Sequence, residues 1–79
     1  MEVYPFHHKN KIFRVFTDYD LTFVELRGVL DELIEIEAFS LDRDEEIEWT
    51  SYQVHFEDFV YEVWVLYPSV IIYTRNTAI

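Results

Sequence analysis

"FVYEVWVLYPSVIIYT", Phe59 to Thr74, is two apolar runs around a single proline. Successive side chains of a strand point to opposite faces, and here both faces are apolar. Tyr61, Val63, Val65 and Tyr67 point one way; Val60, Trp64 and Leu66 point the other, with Glu62 among them. Val70/Ile72 and Ile71/Tyr73 repeat the pattern. The stretch reads as two strands, about Phe59 to Tyr67 and Val70 to Thr74. The turn Tyr67-Pro68-Ser69-Val70 joins them, with proline at its second position. A sheet built on such strands needs cover on both sides.

Working back along the chain, Glu57-Asp58 makes a hairpin turn, and about Glu46 to Phe56 makes the strand before it. Ile47 and Trp49 are apolar at odd positions, whereas Tyr52, Val54 and Phe56 are apolar at even ones. A period of two changes phase only through an extra residue. Either a bulge sits near Thr50-Ser51 or the strand begins at about Ser51. "KIFRVFT", Lys11 to Thr17, reads as the first strand, and "DYDLT" breaks it.

Thr22 followed by Glu25 matches a capping box, so a helix is expected from about Phe23 to Ile36. At 100° per residue, Phe23, Leu26, Val29, Leu30, Leu33 and Ile34 share one side, and Asp31, Glu32 and Glu35 fall on the other. Gly28 weakens the helix interior by about 1 kcal/mol relative to alanine, which close packing against a neighbour would explain. The expected fold is α+β. One helix packs on a small, mainly antiparallel sheet of about four strands in the order β-α-β-β-β, as a single domain over residues 1–79. One helix covers one face. A second copy or a partner is therefore expected on the other, with Trp64, Leu66, Tyr61 and Tyr73 as candidate contacts and a homodimer or obligate complex as the outcome.

Charge is the second signal. "LDRDEEIE", Leu41 to Glu48, holds five carboxylates and one arginine. Residues 18–62 hold fifteen of the sixteen acids with only Arg27 and Arg43, a net of −13, while the flanks are net +3. A field of this sign repels nucleic acid and anionic membrane and attracts basic proteins. Asp31 and Glu35 are like charges four apart, and Glu35 and Glu37 sit where the helix dipole disfavours anions. Local rules broken repeatedly in one direction point to a functional surface. The alternative is a solvated coat that promotes solubility.

Other chemistries are weaker. Asp42, Asp44 and Glu46 alternate as a calcium loop begins, but Ile47 stands where its glycine should be and Gln53 where its last glutamate should be. His7 and His8 are neighbours whose side chains point apart in an extended segment, and Lys9 and Lys11 make that segment look hydrated and basic. No metal and no cofactor are expected. No nucleophile elbow, phosphate loop, dinucleotide fingerprint or zinc-protease motif occurs, so an enzyme is not expected. Cysteine is absent and no run approaches the length of a bilayer span, which fits a cytoplasmic protein.

No stretch matches a family motif. In general character, a short, cysteine-free, acidic and aromatic-rich chain is similar to the inhibitors of phages and mobile elements, DNA-mimic and anti-CRISPR proteins among them. The expectation is an inhibitor whose acids Asp31, Glu32, Glu35, Asp42, Asp44, Glu45, Glu46 and Glu48, with Trp49 beside them, dock on a basic protein. That partner is a nuclease, another nucleic-acid enzyme or a basic toxin. A small structural or regulatory subunit assembling through its sheet face is the alternative.

Overall fold

The computed structural model describes residues 2–18, 21–39 and 48–77. The described residues form five strands and one helix: β1 (Glu2–His8), β2 (Lys11–Thr17), α1 (Phe23–Glu35), β3 (Thr50–Phe56), β4 (Phe59–Leu66) and β5 (Ser69–Thr77). The strands form one sheet in the order β1-β2-β5-β4-β3. Among the described strands, β2 and the central β5 pair in parallel, and the other three neighbouring pairs are antiparallel. The α+β class stands, with a mixed sheet of five strands in place of about four.

The additional strand is β1, so the segment expected to be hydrated is paired along its length with β2, Tyr4 opposite Val15 and Phe6 opposite Phe13. Pro5 obscures the pattern. Proline donates no ladder hydrogen bond, and β1 is an edge strand, where that is tolerated. Lys9 and Asn10 close the hairpin with φ of 48° and 67°, the pair of positive values that a two-residue type I′ turn requires.

Of the two readings of β3, the later start holds: the strand begins at Thr50, and Thr50 to Phe56 pair with β4 without a bulge at Thr50-Ser51; the irregularity is between β4 and β5, at Phe59/Tyr61. One turn is corrected. The last turn is Tyr67-Pro68 between Leu66 and Ser69, which places proline third, after a cis peptide bond.

The core lies between α1 and one face of the sheet. Leu26, Val29, Leu30 and Leu33 meet Phe13, Val15, Val54, Tyr61, Val63, Val65, Val70 and Ile72, all buried. Phe23 is 72% exposed and Ile34 is also exposed, so the packed stripe is narrower than the sequence periodicity implies. The helix lies nearest β3, where Gly28 meets Phe56 so closely that a Cβ would stand 2.2 Å from its ring.

The helix ends in a Schellman motif. The amide of Ala38 donates to Leu33 O at 2.9 Å and that of Glu37 to Ile34 O at 3.0 Å, with Glu37 in the left-handed region at φ 59°. The chain then buries Phe39 against Phe6 and Phe13, with ring centroids 5.1 and 5.0 Å away. Tyr67 packs edge-on against Phe13 and lies beneath the Lys11 ammonium.

Candidate interaction surfaces

The helix N-terminus is held to the sheet by one carboxylate. Glu25 Oε1 accepts from the Thr22 amide at 3.1 Å, and the Thr22 hydroxyl accepts from the Glu25 amide, completing the capping box. Glu25 Oε2 accepts from the hydroxyl of Tyr61. Tyr61 is wholly buried on the helix side, which removes it from the uncovered sheet face where it was expected. The Tyr61 hydrogen bond holds the Glu25 carboxyl below its ordinary value; burial, reinforced by that carboxylate, pushes the Tyr61 phenol well above its own. Tyr61 is thus a neutral donor and Glu25 an ionised acceptor at pH 7. Sequence reading found the cap but not its link to the sheet, because the tyrosine lies 36 residues away.

Asp31, Glu32, Glu35 and Glu37 are all exposed along and just beyond α1. Arg27 reaches Asp31 at 3.6 Å, and the last turn of the helix carries no basic residue. The acidic run falls mostly at 40–47, so Asp42, Asp44, Glu45 and Glu46 lie outside the described residues, as does the start of the calcium-like pattern. Its two described flanks are informative. Phe39, where the chain leaves, is packed beside the β1–β2 turn; Glu48 and Trp49, where it returns, precede the Thr50–Val65 pair at the same end of the sheet. Glu48 is exposed and Trp49 is 42% exposed.

Among the described residues, none covers the sheet face opposite the helix. A row crosses all five strands through the pairs Val3–Phe16, Phe16–Ile71, Ile71–Trp64 and Trp64–Ser51. Leu66 and Tyr73 flank the row, so three of the four residues expected on this face are there. Trp64 Nε1 donates to Glu62 Oε2. Trp64 and Leu66 are half-buried and Tyr73 is exposed.

Because α1 sits towards β3, a groove of about 380 Å³ opens between the helix and β1. Tyr4, Phe6, Leu26 and Leu30 line it, and the exposed Phe23 and Ile34 form its helix side. Nothing in the periodicity of either element announced it.

His7 is exposed, whereas His8 turns to the helix side and stacks on Phe6. Among the described residues, no three histidines or carboxylates converge as a metal site needs, and no helix is long and apolar enough to cross a membrane. No family model, curated protein or solved structure matches the chain.

Proposed function

We propose that this protein is a small, non-enzymatic inhibitor that binds a basic protein surface. The class of target is the nucleic-acid groove of a nuclease or defence complex, as for anti-CRISPR and DNA-mimic proteins of phages; a basic toxin met by an antitoxin would use the same physics. The observation that carries the reading is the end of α1. Glu32, Glu35 and Glu37 are exposed there without a basic residue in the last turn, against the helix dipole and against one another, and Asp31, one turn earlier and paired with Arg27, extends the acidic stripe. Such placement works against the fold, and a surface that opposes its own stability is expected where it serves binding. Carboxylates about 6 Å apart along a helix can meet lysines and arginines arranged to hold phosphates. Opposite charge makes such association fast and salt-sensitive.

Changing Glu45, Glu46 and Glu48 to lysine tests the reading. An inhibitor loses its partner while its circular dichroism is unchanged. Partner binding that survives the reversal overturns it. The alternative, a structural or regulatory subunit in which the acids keep the chain soluble, is favoured by the apolar row on the uncovered sheet face. It predicts assembly unaffected by the same reversal.

A further inference from the structure

We propose that the uncovered sheet face is the interface of a symmetric homodimer, in which Arg14 of each copy pairs with Glu62 of the other. The inference is independent of what the acidic helix binds.

Electrostatics selects the face. Two copies each carrying −10 repel over most of their surface. The described side chains of the outer face carry one formal charge of each sign, Arg14 on β2 and Glu62 on β4, and so add no net charge to the −10 of each copy.

The register places those two charges symmetrically. Ile71 lies on the central strand, paired with Phe16 on one side and Trp64 on the other. Arg14 is one strand away and opposite Ser69; Glu62 is one strand away on the other side and opposite Tyr73. Ser69 and Tyr73 flank Ile71 by two residues in opposite directions, so Arg14 and Glu62 stand diagonally across it. A twofold axis through Ile71, in the plane of the interface and perpendicular to that diagonal, carries each onto the other. Every symmetric contact of this kind occurs twice. The strands of the two sheets then cross steeply, as in orthogonal sheet packing. Ile71 meets its own copy, Phe16 and Trp64 surround it, and Glu62 retains its contact with Trp64.

The size is sufficient. Five strands about 4.8 Å apart and about seven residues long present roughly 500 Å² in projection, and two such faces remove about 1,000 Å² from water, the area at which specific interfaces begin. The product is a helix–sheet–sheet–helix sandwich with both acidic helices outward, which gives one particle two copies of the acidic surface.

Sedimentation equilibrium at micromolar concentration tests the inference. Wild type is expected at twice the 9.7 kDa chain mass. Arg14→Glu and Glu62→Arg should each raise the dissociation constant about tenfold or more, since like charges then face each other. The double exchange R14E/E62R should restore it. A monomeric wild type, or a dimer indifferent to both single changes, overturns the proposal. If a variant does not fold, Trp49→Phe leaves Trp64 as the sole tryptophan on an intact face. Its quenching by acrylamide should fall as protein concentration rises, and quenching independent of concentration overturns the proposal equally.

Discussion

The buried hydroxyl of Tyr61, on β4, donates to the same Glu25 carboxylate that completes the N-terminal cap of α1. One side chain thus closes the helix and fastens it to the sheet. Tyr61→Phe removes the donor and leaves the cap, so it should cost about 1–2 kcal/mol. Glu25→Ala removes both and should cost more. Urea denaturation measures the two against wild type, and equal losses would mean that the cap contributes nothing.

The same pair sets an acid sensitivity. The Glu25 pKa is lowered in the folded chain, so the folded state binds fewer protons than the unfolded state between the two values. Its contribution is complete above the ordinary carboxylate pKa of about 4.3 and is lost as pH falls through the lowered folded value. Glu25→Gln should therefore be less stable than wild type at pH 7 and approach it in acid. Thermal denaturation from neutral pH into acid would reveal the convergence.

Gly28 faces the ring of Phe56 with no space for a methyl group. Gly28→Ala gains about 1 kcal/mol of helix propensity but must displace the ring, and overpacking costs about 1–3 kcal/mol. Net destabilisation is expected. In a Phe56→Ala background the obstacle is gone, and the same change should stabilise. The sign reversal is the measurement.

Glu37 and Glu57 hold left-handed backbone, φ 59° and 55°, at positions that favour glycine. Glu37→Gly and Glu57→Gly should each stabilise by about 0.5–1 kcal/mol. The first also removes an anion from the C-terminal end of the helix. A loss of stability at Glu37 would identify a compensating contact for its carboxylate.

Legibility in the sequence followed periodicity and local chemistry. Thr22 and Glu25 announced the helix start because capping is local, and the two apolar phases of Phe59 to Thr74 announced a sheet with one face uncovered. β1 was missed because Pro5 and the polar run His7 to Lys11 hide the alternation of Tyr4, Phe6 and His8; Asn10 in a two-residue turn was the signal available. Phe23 and Ile34 fit the helical stripe but miss the core, since the Gly28–Phe56 contact draws the helix towards β3. That offset, and with it the groove, depends on residues from two elements and has no local signature. Of the candidate site, the acidic helix residues are exposed as expected, while Tyr61 was assigned to the wrong face.

Glu32→Lys/Glu35→Lys separates binding from folding. Cations near a helix C-terminus are favourable, so the double variant should gain about 0.3–1 kcal/mol while binding a basic partner more weakly. A protein that becomes both more stable and less able to bind would tie the opposed charges to function.

The most direct test of the central claim is capture of partners from a bacterial lysate on wild type and on this double variant side by side, eluted with rising salt and identified by mass spectrometry. An inhibitor of this kind should retain a nucleic-acid-processing protein or basic toxin on the wild-type column, released by salt and lost from the variant, with a nucleic-acid enzyme also displaced by added DNA. The same proteins on both columns, or none released by salt, would contradict that claim.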